Sequence, residues 1–272
     1  MFILGPVSKG PSTSPHRADT VEANQASVER AIRHMKERLA EPLELDELAR
    51  IAAISKFHLV RVFDEITGIT PHHFLSCLRM QRAKELLLKS GVPITEVCLD
   101  VGYNSLGTFS TTFSELVGLS PQEFRAMPKR LTAKQFATAI WRYLAARKKI
   151  PGPTIEGVVE GPRQPKGFTF VGTFTRGVPL GVPFSGTVMV GHGKFCIERP
   201  AMEEFHLLAA LVPFSADLTS MVANIPISFV ASLRVQNDKD GSNEKPRLQL
   251  RPLRPTDPPI VLALPALPPL RV

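Results

Sequence analysis

The sequence repeats itself once at a spacing of about fifty residues, and this repeat restricts the folds open to the first half of the chain. Residues 47–74 match residues 96–124, with one extra residue in the turn of the second copy. The matched positions are small or apolar residues, serines, glycines and prolines. They pair Leu48 with Val97, Ala49 with Cys98, Ala52 with Val101, Ala53 with Gly102, Ser55 with Ser105, Leu59 with Phe109, Phe63 with Phe113, Gly68 with Gly118, Pro71 with Pro121 and Phe74 with Phe124. The repeat predicts two copies of one helical hairpin.

Each copy has the layout of a helix-turn-helix, in which two short helices cross closely at a tight turn. A small residue midway along the first helix, Ala49 or Cys98, lets the second helix approach. A serine, Ser55 or Ser105, caps the second helix, and a glycine ends it. Two interpretations stay open here. One is an all-helical bundle with two similar hairpins; the other is a DNA-binding unit whose second helices enter major-groove segments about 34 Å apart.

Charge favours the DNA-binding interpretation only modestly. The chain has a formal net charge of +8. Residues 26–150 hold 19 lysines and arginines against 13 acidic residues, a net of +6, whereas residues 151–272 hold 12 against 10, a net of +2. The excess of basic residues therefore lies in the first half, as expected for a nucleic-acid footprint.

Proline marks the place where helices give way to strands. Residues 151–272 contain 17 of the 25 prolines, and residues 26–150 contain five. We expect a flexible tail over 1–25, a helical domain over 26–130, a helix and linker over 131–153, and a β-rich domain over 154–272. The predicted strands lie at 167–174, 186–190, 205–211, 227–231 and 247–253, a spacing typical of a β-sandwich. The predicted fold class is α+β with two domains.

Within this layout the residues resemble the DNA-binding domain of the AraC/XylS family of bacterial transcription regulators. The resemblance covers residues 26–128, a little under 40% of the chain. Its first part rests on Leu45-Asp46-Glu47-Leu48-Ala49, Ser55-Lys56-Phe57-His58-Leu59-Val60-Arg61-Val62-Phe63 and Gly68-Ile69-Thr70-Pro71. Its second part rests on Arg79-Met80-Gln81-Arg82-Ala83, Leu86-Leu87, Ile94, Val97, Gly102-Tyr103, Phe109, Phe113 and Gly118-Leu119-Ser120-Pro121-Gln122-Glu123-Phe124-Arg125.

The resemblance implies sequence-specific DNA binding through the helices that start at Ser55 and Ser105. In the first helix the implied contact residues are Ser55, Lys56, Phe57, Val60 and Arg61. Arg61 suits guanine or a phosphate, and Lys56 suits a phosphate. Phe57 suits thymine methyl groups, although it could instead belong to the core. Arg61 could equally be an ordinary solvated charge.

In the second helix the implied contact residues are Ser105, Leu106, Gly107, Thr108, Thr111 and Thr112. Here the chain departs from the family pattern, since Thr111 and Ser114 stand where basic residues are usual, and Glu115 follows. The second motif is therefore expected to bind more weakly than the first. Arg79, Arg82 and Lys84 on the joining helix could touch the DNA backbone. For Arg79 and Arg82 we favour a bracing role between the two motifs.

No catalytic constellation, cofactor motif or metal site is expected from the sequence. The chain lacks a P-loop, GxGxxG and GxSxG. His72 and His73 occupy variable positions of the repeat, and Gly191-His192-Gly193 is typical of a hairpin turn. No apolar run reaches the 18 or so residues of a membrane helix, and the N-terminus lacks a signal-peptide pattern. We expect a cytoplasmic protein that is not an enzyme, needs no cofactor or metal and does not contact a membrane.

Double-stranded DNA is the partner that the first half predicts. For the second half three partners stay open: a second copy of the chain in a homodimer, a small-molecule effector, and RNA polymerase. The family usually places its sugar-binding domain before the DNA-binding half, whereas here the extra domain follows it, so no ligand is transferred. The alternative function is a ligand-sensing or protein-interaction module whose DNA binding has weakened, as Thr111, Ser114 and Glu115 suggest.

Overall fold

The computed structural model describes residues 15–89, 91–130, 138, 152–161, 166–214, 227–236 and 245–262. Seven α-helices come first: α1 Pro15–Glu37, α2 Leu45–Ala52, α3 Lys56–Thr67, α4 Pro71–Lys89, α5 Ile94–Asp100, α6 Leu106–Val117 and α7 Pro121–Arg130. Eight strands follow: β1 Thr154–Glu160, β2 Gly167–Phe174, β3 Gly186–Val190, β4 Lys194–Glu198, β5 Glu204–Pro213, β6 Phe229–Gln236, β7 Arg247–Gln249 and β8 Arg251–Pro252. A helical N-terminal half and a β-rich C-terminal half are thus confirmed.

The sequence repeat is reproduced in the geometry of the two hairpins. Helices α3 and α6 each have 12 residues, and each is capped by a serine hydroxyl that accepts a backbone N–H at 3.3 or 3.4 Å. Each ends at a left-handed glycine, Gly68 with φ 78° and Gly118 with φ 84°. Both turns also use a left-handed residue, Ala53 with φ 58° and Gly102 with φ 82°.

The cores of the two copies also match. Phe63 packs edge-to-face on Phe74 with ring centroids 5.4 Å apart, and Phe113 packs on Phe124 at 5.6 Å. All four rings are fully buried. Such aromatic pairs add to the stability that burial itself provides, so each hairpin is fixed to the helix that follows it.

Helix α1 begins ten residues before the end of the tail expected at 1–25, so the expected tail is too long. Tertiary contacts explain why this polar segment is helical. The Asn24 side chain bonds to the ring of His58 at 3.1 Å, and the Gln25 amide donates to the hydroxyl of Thr256 at 3.5 Å. A tail judged from composition alone misses such partners.

The strands form two sheets, one of three strands in the order β4-β1-β7 and one of five in the order β3-β2-β5-β6-β8. One face of the five-stranded sheet packs on the small sheet through Phe205, Leu207 and Ala209, which share a buried cluster with Ile155 and Ile197. Its other face carries Phe168, Phe170, Val188 and Val212, which share a buried cluster with the helices. The described elements therefore lie in three layers: small sheet, large sheet and helices.

The strand predictions at 167–174 and 186–190 match β2 and β3, while the later strands shift by a few residues. Strands β1 and β4 were not predicted. The turn at Gly191-His192-Gly193 is not a hairpin turn, because β3 pairs with β2 whereas β4 pairs with β1 in the other sheet. The chain changes sheets there, which a local turn pattern cannot distinguish from a hairpin. The linker expected at 131–153 lies outside the described residues except for 138 and 152–153.

Candidate nucleic-acid interface

The N-terminal half of α3 projects its predicted contact residues away from the core. Ser55, Lys56, Phe57 and Arg61 are exposed, and Val60 is half-buried. Phe57 is 80% exposed, so it is not a core residue. An aromatic ring this exposed on a helix whose other face is buried is available to a partner surface. The turn that precedes α3 sets this direction, since Ala53 takes a left-handed conformation between the two helices.

Arg61 is held by a small network that crosses two helices. Its Nη1 donates to Glu65 Oε1 at 3.0 Å, one helical turn along α3. Its Nη2 lies 3.0 Å from His58 Nδ1, and His58 Nε2 lies 3.1 Å from Asn24 Oδ1 on α1. Because a guanidinium only donates, His58 Nδ1 accepts from Arg61 and Nε2 carries the proton given to Asn24. The network holds the Arg61 guanidinium against the protein, although 60% of its side chain is exposed.

Lys56 also has neighbours within the hairpin. Its Nζ lies 3.3 Å from Asp46 Oδ1 and 5.9 Å from the centre of the Phe57 ring. Both groups of the ion pair are strongly exposed, so the pair is weak and Lys56 can exchange Asp46 for another anion. Helix α3 therefore presents two cations and one aromatic ring at its N-terminal half.

The equivalent half of α6 is equally exposed but carries no positive charge. Ser105, Leu106, Gly107, Thr108 and Thr111 are exposed, and Thr112 is half-buried. The residues of α6 include no lysine, arginine or histidine, and Glu115 is its one acidic residue. Leu106, 43% exposed, is its largest apolar side chain on that side. This surface can offer hydroxyl groups, methyl groups and the close approach that Gly107 permits.

Of the basic residues of α4 considered above, Arg79 and Lys84 are turned inward. The Arg79 guanidinium donates to the carbonyls of Leu39 at 3.0 Å and Glu41 at 2.9 Å, so it ties α4 to the end of α1. Burial lowers its pKa, although the pKa stays that of a cation at neutral pH. Arg82 pairs with Glu85 on its own helix at 2.9 Å.

Lys84 is 1% exposed, and its Nζ donates to the backbone carbonyl of Val261 at 3.0 Å. Its Nζ also lies 5.7 Å from the centre of the Phe124 ring. Burial lowers the pKa of Lys84 to about 7. The C-terminal segment thus covers this lysine, which cannot reach a phosphate in this conformation.

Two cysteines of the helical half, Cys77 and Cys98, are buried. Burial raises the pKa of the Cys77 thiol to about 12, so it is not a reactive thiolate. Cys98 is 2% exposed and stands where Ala49 stands in the first copy. Across the residues that the structure describes, no group of three or more histidines, cysteines or carboxylates could hold a metal ion. The same residues include no helix long and apolar enough to cross a membrane.

Sequence reasoning missed the residues that orient Arg61. The pairing of Arg61 with Glu65 has a local signal, since opposite charges four residues apart on a helix are neighbours. The contact of His58 with Asn24 joins residues 34 apart in the sequence and has no local signal. The contact of Lys84 with the carbonyl of Val261 joins residues 177 apart in the sequence and has no local signal either.

Known proteins match the helical half. Residues 48–127 match the family model described as a helix-turn-helix domain. The chain is 42% identical over 93 residues to the MmsAB operon regulatory protein of Pseudomonas aeruginosa, covering 34% of this chain and 30% of that protein. It is 32% identical over 102 residues to the HTH-type transcriptional regulator GbdR of Pseudomonas aeruginosa, covering 38% of this chain and 28% of that protein.

A solved structure also matches, the crystal structure of a transcriptional regulator with an AraC-type DNA-binding domain from Chromobacterium violaceum. The identity is 30% and the TM-score is 0.37, over 39% of this chain and 94% of that one. The chain spans less than a third of each of the two curated relatives, which are both named as regulators.

Proposed function

We propose that the chain is a transcription regulator of the AraC type and that it binds specific double-stranded DNA with α3 and α6 in successive major-groove segments. The match of residues 48–127 to the family model of a helix-turn-helix domain supports this proposal. The observation that carries the proposal is the duplicated hairpin, with two capped helices of equal length whose N-terminal halves are exposed. A second helix of this kind reads base edges with its first two turns.

The exposed residues of α3 and α6 differ in the DNA contacts that they can make. Arg61 lies beside His58 and Glu65, and once it leaves Glu65 its guanidinium can form two hydrogen bonds to guanine N7 and O6. Phe57 offers its ring to thymine methyl groups, and Lys56 offers its ammonium to a phosphate. Ser105, Thr108, Thr111 and Thr112 offer hydroxyl and methyl groups. Helix α3 therefore supplies most of the affinity, and α6 supplies a weaker second contact.

Selection of bound sequences from a random DNA pool by the full chain tests the proposal. We expect a site in two parts, about one helical turn or 10 base pairs apart. In a parallel selection with Arg61→Ala, the sequence preference at one base pair should weaken, in the part of the site that α3 contacts. No enriched sequence at low salt would overturn the proposal, because phosphate contacts are strongest there.

We also propose that residues 154–272 form one domain, a β-sandwich. The shared cluster of Ile155, Ile197 and Phe205 between the two sheets supports this interpretation. The packing of the large sheet on the helices, described above, supports a role for this domain in regulating the helical half. That role favours effector sensing.

A further inference from the structure

A cavity of about 310 Å³ lies between the large sheet and the end of α3. Its floor is the helix-facing side of the sheet, where Phe170 pairs with Ala210 and Gly172 pairs with Leu208. Its roof is the last turn of α3, residues 65–68. This volume lies within the range of small-molecule sites.

Ala210, on the helix-facing side of the sheet, lines this space with a single methyl group. At Gly172 the adjacent volume is already occupied, because a Cβ there would lie 3.0 Å from Phe174 and from Pro183. On the opposite face of the same strands, Leu207 and Leu211 are fully packed against the small sheet. The helix-facing side is therefore packed less completely than the other.

The charge of the lining points to one class of ligand. Among the described lining residues, only Glu65, Arg251 and Asp257 have acidic or basic side chains. Arg251 and Asp257 form a bidentate ion pair in which both N–O distances are 2.7 Å, so their charges cancel. Glu65 leaves the lining with a net negative charge. An apolar cavity whose edge carries one carboxylate, paired only with an exposed arginine, complements a small organic cation.

The partner of Glu65 can be displaced. Glu65 is paired with Arg61 at 3.0 Å, and their side chains are 55% and 60% exposed. An exposed ion pair of this kind is weak, since water screens both charges. A ligand ammonium anchored by the cavity is an intramolecular competitor once bound, and it can take the carboxylate from Arg61.

We propose that this cavity binds a small amine with an apolar body, and that its ammonium binds Glu65 and releases Arg61 toward DNA. The binding step stands on the cavity and its charge. The release step rests on the function proposed above, because only then does Arg61 contact DNA. Binding of the amine therefore raises the affinity of the chain for its DNA site.

Three probes with one body and different charge test the binding step. Calorimetric titration of the full chain would compare 2-phenylethylamine, 2-phenylethanol and phenylacetate. We expect the amine to bind at least tenfold more tightly than the alcohol. Phenylacetate should bind most weakly of the three. Glu65→Gln should lower the affinity of the chain for the amine to its affinity for the alcohol. Because Glu65 is exposed, this variant keeps its fold.

The repeat provides a matched control. Glu115 occupies in α6 the position that Glu65 occupies in α3, but it does not line the cavity. Glu115→Gln should leave binding of the amine unchanged. Ala210→Phe, which fills the cavity, should abolish binding of the amine and the alcohol alike. Equal affinity for the amine and the alcohol, or an amine affinity untouched by Glu65→Gln, would overturn the proposal.

The coupling is tested on the selected DNA site. Saturating amine should tighten DNA binding several-fold in the unmodified chain and have no effect on Glu65→Gln, which should already bind tightly. Amine binding without this change in DNA affinity would overturn the release step. If the chain binds the amine as expected but enriches no DNA sequence, the failure belongs to the proposed function and not to the cavity.

Discussion

The two hairpins share their framework and differ in the chemistry of their exposed faces. Ser55 and Ser105 cap helices of equal length, and Gly68 and Gly118 end them in the same left-handed conformation. On the exposed side, Arg61 of the first copy corresponds to Thr111 of the second. Backbone geometry constrains the positions of the framework, whereas the exposed positions can diverge. A duplicated motif can therefore keep its shape and still divide its work unequally.

The largest expected effect tests whether the two frameworks are equivalent. Phe63→Ala and Phe113→Ala each remove a fully buried ring that packs on a second aromatic residue. Each should lower the free energy of unfolding by about 3–5 kcal/mol. Urea unfolding of both variants measures this. A loss that is large for one ring and small for the other would show that the two hairpins are not equally built.

The next effect concerns α4, which joins the copies and is covered by the C-terminal segment. Burial lowers the pKa of Lys84 from 10.5 to about 7. Between these values the unfolded chain binds the proton more readily, so stability rises as pH rises through this window and falls as pH returns to 7. The expected rise from pH 7 to pH 10 is about 3 kcal/mol.

Urea unfolding of the chain and of Lys84→Met across this pH range isolates that contribution. Methionine carries no titrating group, so the variant should lack the rise while other groups affect both proteins alike. Parallel pH profiles would mean that Lys84 reaches solvent, and that the C-terminal segment does not cover α4 in solution.

The unequal division of work predicts a third difference. On the selected DNA site, Arg61→Ala should weaken binding by about 1–3 kcal/mol, because two hydrogen bonds to one base are lost. Thr111→Ala should cost less, since it removes one hydroxyl and one methyl group. Fluorescence anisotropy titrations at one salt concentration measure both. The reverse order would assign the stronger contact to α6.

The smallest expected effect comes from a substitution that makes the second copy more like the first. Thr111→Arg places a guanidinium in α6 at the position of Arg61, with Glu115 one turn along as Glu65 is. If α6 lies near the DNA backbone, affinity should rise and the salt dependence should steepen by about one counterion. Anisotropy titrations at several salt concentrations give this slope. An unchanged slope would place Thr111 away from the phosphates.

Local patterns predicted the framework well and the long-range contacts not at all. The capping serines and the terminal glycines could be predicted because each depends on residues within one or two turns. The exposure of Phe57 was left open, since an apolar ring has no local signal that separates core from interface. The helical start at Pro15 and the change of sheets at Gly191 depend on partners far along the chain. The cavity depends on the meeting of five separate segments, residues 65–68, 170–187, 208–212, 227–232 and 251–262.

The covering of Lys84 has a consequence for the order of events during synthesis. The carbonyl that accepts its hydrogen bond is made 177 residues later. At ordinary rates of translation this interval lasts roughly ten to thirty seconds. During this interval the carbonyl of Val261 is not yet available to Lys84. Water can accept the hydrogen bond of the ammonium group instead. Docking of the C-terminal segment must then remove that water, which makes it a late step in maturation.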